Sequence, residues 1–316
     1  MNVFRGLATP VKRSYPVATI GNFDGQHKGH RSLLDIVVAT ARRLHGTAVV
    51  VTFDPHPVRT LAPHVDLKFL TSPEEKLARF EEAGIQDVIL LEFTPAFAAL
   101  APAEFASQIL KNGLGLKELF VGEHFSFGKG RAGKVCDLIQ LGAQLGFDVH
   151  AVSPVKLDGE VVSSTRIRQM IQAGDMSKAS RFLGRPYAIG GEVIHGDHRG
   201  QSLGWPTANL AVPPERVLPP DGVYAATVLW QGRCMESATY IGVRPTFGAG
   251  DRVIEVYLLD RQLDLYGQRI IVQFIERVRG DIMFQSAEAL ADRIEQDVQE
   301  VRTCLKRATR MAEMTP

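Results

Sequence analysis

The chain has 316 residues, 45% of them hydrophobic and 22% charged, with Lys+Arg 36 against Asp+Glu 35. That length suggests about two domains, and the near-zero net charge excludes a global basic field for nucleic acid or a membrane surface, so a bound anion must be held by local charge. No apolar run approaches the roughly 18 residues of a membrane span, and the opening MNVFRGLATPVKR has no apolar core of a leader peptide. Cys136, Cys234 and Cys304 are odd in number and far apart, which points to a reducing cytoplasm rather than a disulfide framework or a cysteine zinc site.

In chain order, β-rich runs are predicted at 17–23, 48–53, 87–93, 118–122 and 148–152, with helices near 30–44, 73–83, 102–112 and 134–145. Gly84, Gly113 and Gly146 follow three of those helices, where a terminating glycine is expected. Alternating β and α units with apolar strands imply a parallel sheet covered on both faces. Ligands of such sheets sit beyond the C-terminal strand ends, where strand order reverses. Two further helices, 164–173 and 176–183, lead to a change of texture near Gly184–Pro186. This divides the chain into modules 1–185 and 186–316. From Tyr187 to Arg279 the chain reads as short strands and turns, a small barrel or sandwich. A last helix from Ser286 to about Ala308 aligns Ala287, Leu290, Ile294, Val298, Val301 and Leu305 on one stripe that should pack on the barrel.

The segment GNFDGQHKGH, Gly21–His30, follows the first long strand and crowds His27, Lys28, His30 and Arg31 at a helix start. The helix dipole disfavours cations there by about 0.3–1 kcal/mol each. The same oddity recurs at Ser163–Arg168, SSTRIR. Two such clusters, each with free N–H groups, suggest anion sites, since a polyphosphate offsets both penalties. Ordinary surface helix ends remain the plain alternative. An H-x-x-H metal pair is disfavoured because no third ligand is evident. Over phosphates, two imidazoles could stabilise charge that develops during displacement. Gly128–Lys134, GKGRAGK, imitates a Walker loop, but Val135 stands where Ser or Thr should hold Mg²⁺. It reads instead as a mobile basic loop over phosphates.

In the second half, Thr207 and Asn209 of PTAN point to one side of an extended segment, a plausible pair of oxygen ligands for Mg²⁺. Gly190, Gly191, Gly196, Gly200 and Gly204 would let backbone approach a phosphate, although such glycines also serve ordinary turns. Glu255, between Ile254 and Val256, is either an exposed strand carboxylate or a base for a hydroxyl attacking a γ-phosphate. His195 and His198 read as solvated loop histidines.

GNFDGQHKGH with SSTRIR resembles the nucleotidyltransferases that carry HxGH and SSTxIR motifs, and TFDPHP (52–57) and VGEHFSFGKGRAG (121–133) narrow the match. GEVIHG, GQSLGWPTAN, DGVYAATV, YIGVRPTFG, EVYLLD and MFQSAEALADRIEQD resemble the riboflavin kinase module in unbroken order. The whole is similar to the bacterial bifunctional riboflavin kinase/FAD synthetase family. The resemblance implies a Rossmann-like nucleotidyltransferase domain followed by a six-stranded antiparallel β-barrel with a C-terminal helix. It implies phosphorylation of riboflavin to FMN and adenylylation of FMN to FAD, with ATP as co-substrate and Mg²⁺ as cofactor. By the same resemblance, His27 and His30 face the ATP phosphates and Ser164, Thr165 and Arg168 hold the triphosphate. Gly21, Asn22, Phe23 and Asp24 line the nucleotide pocket, and His56, Pro57, His124 and Phe127 lie along FMN. In the barrel, Gly200 and Gly204 approach phosphate, Thr207 and Asn209 bind Mg²⁺, and Glu255 is the general base. The partners implied are these small molecules, with no nucleic acid or membrane.

Some positions depart from the family pattern: His124, Lys134, Gln201, Tyr257 and Asp281. They bear on flavin fit and phosphate affinity, and leave open an alternative in which only one activity is retained and the other module is a scaffold or flavin-binding regulator.

Overall fold

The apolar runs of the first half become neighbours in one sheet. A computed structural model describes residues 1–7, 13–195, 204–243, 252–261 and 263–313. The chain divides into two compact units, Met1–Ser164 and Thr165–Pro316.

The first unit runs β1 (Asn2–Arg5), β2 (Pro16–Ile20), α1 (Lys28–Arg43), β3 (Thr47–Phe53), α2 (Pro57–Leu61), α3 (Pro73–Glu82) and β4 (Asp87–Leu91). Then come α4 (Pro95–Ala98), α5 (Pro102–Glu104), a π-helical segment Phe105–Gly113, β5 (Glu118–Gly122), β6 (Ser126–Phe127), β7 (Gly133–Lys134), α6 (Val135–Leu145) and β8 (Asp148–Val152). The hairpin β9 (Lys156–Leu157) and β10 (Glu160–Val161) ends the unit. The main sheet has the order β1-β4-β3-β2-β5-β8 and is parallel throughout. The chain winds outward from β2 to β3 and β4, then returns to add β5 and β8 on the other side, so β2 ends at the switch point. Alternate strand residues serve two cores. Val17, Val50 and Val88 pack under α1 and Phe80 of α3. Ala18, Val49 and Ile89 pack under the π-helical segment and Leu138 of α6.

Differences from the predicted elements have local causes. The first strand stops at Ile20, because Phe23 turns left-handed (φ +52°) and buries its ring. The predicted helix 102–112 is one turn of α5 followed by wider π-helical bonding, with the Leu114 N–H donating to the Ile109 carbonyl at 3.1 Å. That winding places Phe105 and Leu110, five residues apart, on the buried face. β1 lies in the opening segment, where no alternation marks a strand. It pairs with β4, and Asp87 receives Asn2 Nδ2 at 3.0 Å and Arg13 Nε at 2.7 Å. In the GKGRAGK loop, Arg131 Nε donates to Ser126 Oγ at 2.7 Å and Lys134 Nζ to the Arg131 carbonyl at 3.0 Å.

The second unit holds most of α7 (Ser164–Gln172), α8 (Met176–Leu183) and the strands β11 (Tyr187–Ile194), β12 (Ala208–Leu210), β13 (Gly222–Trp230), β14 (Arg233–Val243), β15 (Arg252–Leu258) and β16 (Arg269–Gly280). α9 (Ala287–Glu313) completes it. The strands form a closed antiparallel barrel in the order β11-β12-β15-β14-β13-β16. Tyr187, Ile189, Tyr224, Val228, Val256 and Phe274 fill it, each at most 2% exposed. On the outside, Val298, Val301 and Leu305 of α9 pack on Val223 and Ala225, as the predicted stripe requires. Ser286 caps α9 by accepting from the Ala289 N–H at 3.2 Å. The barrel-plus-helix expectation is met, with the three-residue β12 as the strand too short to read from pattern.

Candidate active sites

The first site is built on the turn between β2 and α1. Gly21 continues β2 far enough to donate its N–H to the Val51 carbonyl at 3.1 Å. The chain then reverses through Phe23, Gly25 (φ +80°) and Gln26 (φ +37°). Phe23 is 1% exposed and packs edge-on against Phe80 and His30, at 5.4 and 5.2 Å. What Phe23 can offer a ligand is therefore main chain, not ring. The Asp24 carboxylate also points inward. It accepts from Leu70 N at 3.0 Å, Thr71 N at 3.2 Å and Thr71 Oγ1 at 3.2 Å.

His27 is the N-cap of α1, its Nδ1 accepting the His30 N–H at 3.3 Å. That use of Nδ1 leaves the ring proton on Nε2, the atom able to donate to an oxyanion. The His27 and His30 rings stack at 3.7 Å, 14° from parallel. Gly29 makes room for this: a Cβ there would lie 3.2 Å from the His27 ring. The glycine of HxGH is thus a packing requirement of the two histidines. Ser164 Oγ donates to the Asp24 carbonyl at 2.8 Å, so the SSTRIR segment meets the turn directly through its serine. Thr165 and Arg168 lie on α7 within the second compact unit.

The residues read as flavin neighbours fall on two loops. His56 caps α2, with Nδ1 accepting the Val58 N–H at 3.2 Å, and Pro57 opens that helix. His124 is 81% exposed beside Glu123, whereas Phe127 is buried. A run of ring contacts joins the two regions: Phe53 to Phe97 at 5.8 Å, Phe97 to Phe105 at 6.0 Å, and Phe105 to Phe127 at 5.5 Å. It brings Phe127 into the aromatic wall and leaves His124 outside it. Lys76 was not marked by the sequence, because a lysine on a polar helix normally lies in solvent. Its ammonium reaches the end of β3, 3.4 Å from Thr52 Oγ1.

The second site lies on the outer face of the barrel. Asn209 and Glu255 are direct partners in the β12–β15 ladder, and Glu255 is also opposite Tyr240 on β14. Paired residues share a face, so Asn209, Glu255 and Tyr240 form a polar row. Tyr257, two residues along, extends it and carries Trp205 edge-on at 5.2 Å. Tyr240 donates to Asp281 Oδ1 at 3.1 Å. Burial first, then the carboxylates of Asp281, Asp221 and Glu255, push its hydroxyl well above the ordinary tyrosine value. Tyr240 is a neighbour the sequence reading missed, since only register aligns it with Glu255. Close by, a cavity of about 490 Å³ is lined by Gly204, Pro206, Thr207, Val256, Arg261 and Tyr266. His195 stacks on Tyr266 at 4.1 Å and stays exposed to solvent. Gly196, His198, Gly200 and Gln201 lie outside the described residues.

Fold and clusters together define a class: a nucleotide-site α/β unit and a β-barrel unit on one chain, each with its own polar site. The FAD synthetase family model matches residues 10–166 and the riboflavin kinase model residues 183–305. A bifunctional riboflavin kinase/FMN adenylyltransferase of Pseudomonas fluorescens is 40% identical over 96% of this chain and 97% of its own. One of Escherichia coli (strain K12) is 38% identical over 94% of this chain and 96% of its own. A crystal structure described as a macrolide-efflux protein from Streptococcus pneumoniae superposes with TM-score 0.88 at 30% identity, covering 96% of this chain and 99% of that one. Among the described residues no helix is long and apolar enough to cross a membrane. The chain belongs to the bifunctional riboflavin kinase/FMN adenylyltransferase family.

Proposed function

We propose that this chain phosphorylates riboflavin with ATP to FMN in its barrel, and adenylylates FMN with ATP to FAD and pyrophosphate at the Gly21–His30 turn. The observation that carries the reading is that the chain matches both family models, with the two stacked histidines and Ser164 gathered at one turn and Asn209 paired with Glu255 in the barrel. This favours two activities over one retained activity with a silent module. Functionally we keep the division 1–185 and 186–316, because SSTRIR belongs chemically with HxGH.

For adenylylation, attack of the FMN phosphate on the α-phosphorus of ATP expels pyrophosphate. The His27 and His30 imidazoles and the N–H groups opening α1 stabilise charge that grows on the phosphate oxygens. Ser164, Thr165 and Arg168 hold the triphosphate; Gly21, Asn22, Phe23 and Asp24 shape the pocket, the last two through main chain. The 53–57 segment with His56 and Pro57, the Phe127 aromatic wall and His124 border the flavin.

For phosphorylation, Glu255 accepts the proton of the riboflavin 5′-hydroxyl as its oxygen attacks the γ-phosphorus and the bond to the β–γ bridging oxygen breaks, releasing ADP. Gly200 and Gly204 border the phosphates. Thr207 and Asn209 offer only oxygen donors, a set that suits Mg²⁺ and leaves it several waters; bound there, Mg²⁺ would neutralise charge on the phosphates. The unpatterned cysteines favour a cytoplasmic setting.

The test is purified protein with riboflavin, ATP and Mg²⁺, its flavins separated over time. FMN should appear first and FAD after it; riboflavin left untouched would sink the kinase assignment. Glu255→Gln should slow FMN formation by about 10²–10⁴-fold and leave FMN-to-FAD conversion intact. Conversely, His30→Ala should slow adenylylation by about 10²–10³-fold and spare phosphorylation. Loss of both steps in either variant argues against two sites.

A further inference from the structure

Lys76 occupies the first turn of α3, yet its side chain leaves the helix surface for the sheet. Its main chain is fixed there by Gln26, whose Nε2 donates to the Lys76 carbonyl at 2.7 Å. The ammonium's one side-chain hydrogen bond among the described residues is the 3.4 Å contact to Thr52 Oγ1. Thr52 Oγ1 lies 3.4 Å from the Asn22 carbonyl in turn. These contacts set the charge at the C-terminal end of β3, against the β2–α1 turn, on the edge where parallel sheets bind ligands.

The charged groups facing it are Asp24 from the turn and Asp54 from the end of β3. Neither closes an ion pair with it. The Asp24 carboxylate accepts the Leu70 and Thr71 donors, and Asp54 Oδ2 sits 3.4 Å from Arg5 Nη1. An ammonium that is mostly withdrawn from water and holds one long hydrogen bond is costly unless an anion joins it. Burial accordingly holds its pKa below the ordinary lysine value, against the pull of the two aspartates.

We infer that Lys76 is a substrate-contacting residue of the adenylyl-transfer site, its ammonium taking a phosphate oxygen beside Thr52 and the Asn22 turn. This rests on reading Gly21–His30 as that site. The phosphate can come from FMN or from the triphosphate of ATP, and initial rates of adenylylation separate the two.

The experiment measures KM for FMN and for ATP in full-length wild type, Lys76→Met and Lys76→Arg, with thermal unfolding and riboflavin phosphorylation alongside. Lys76→Met should raise one KM by roughly 10–100-fold, the loss of a charge-assisted hydrogen bond. A rise for FMN assigns the contact to the flavin phosphate, and a rise for ATP assigns it to the triphosphate. Phosphorylation should not change, and Lys76→Arg should recover part of the loss. In wild type, the same KM should climb as pH rises through the lowered pKa of Lys76, since only the ammonium binds the anion; this readout serves if Lys76→Met does not fold. Both KM values unchanged with a lower Tm would overturn the inference, leaving Lys76 as a counter-charge for its aspartates. Wild type that makes no FAD from FMN would instead overturn the underlying reading of the site.

Discussion

At Gly25 two constraints meet. Its φ of +80° is left-handed, and a Cβ would lie 2.6 Å from Leu70 Cδ1, a side chain that is itself 2% exposed. Gly25→Ala should therefore destabilise the first unit by about 1–3 kcal/mol in chemical denaturation. The same substitution strains the bonds from Leu70 and Thr71 to Asp24, so adenylylation should fall while phosphorylation holds. Equal loss of both activities would show that the turn serves the whole chain rather than its own site. At this scale the sequence was readable where a motif or period fixes placement, as at His27 and His30, which share one helix start, and at Glu255, opposite its buried neighbours Ile254 and Val256. It was unreadable where a side chain's role depends on distant backbone: the inward carboxylate of Asp24 needs residues 46 and 47 positions away, and its carbonyl needs Ser164. Lys76 escaped notice because nothing in PEEKLARF says that one lysine bends toward the sheet.

Among the elements, α9 is held by more than its apolar stripe. Arg279 on β16 grips Asp297 with Nε at 2.8 Å from Oδ1 and Nη2 at 2.7 Å from Oδ2, and Arg293 adds a contact at 2.9 Å. Asp297 is 4% exposed in its side chain and Arg279 12%. Asp297→Ala leaves the Arg279 guanidinium without its carboxylate and Arg293 with that of Glu300 alone, and should cost about 3–5 kcal/mol, measured by urea unfolding. A loss under 1 kcal/mol would mean water reaches the pair. The stripe of α9 and the long strands were legible because period and burial coincide over many residues. β12 was not, since three residues carry no period and its place is set by partners on β11 and β15. β1 was hidden for a similar reason: it is an edge strand whose pairing partner lies more than 80 residues on.

Across the whole molecule, the Gly21–His30 turn and the Glu255 row belong to separate units with separate cores. The sites should therefore be separable by mixing. Glu255→Gln and His30→Ala, each unable to complete the path alone, should together convert riboflavin to FAD through released FMN. No FAD from the mixture, with each remaining half-reaction intact, would mean that FMN passes only within one chain.

The closed barrel also sets a timetable. Its first strand pairs with its last, Tyr187 with Phe274, and the cylinder stays open until that pairing forms. During synthesis the sheet around β2 is complete once β8 has emerged, and its contacts can form at once. The barrel must wait for nearly its whole length, because long-range pairing closes loops before contacts repay them. A growing chain should thus mature in the reverse of the order of the chemistry: the unit that finishes FAD first, and the unit that supplies its FMN only after β16 has emerged.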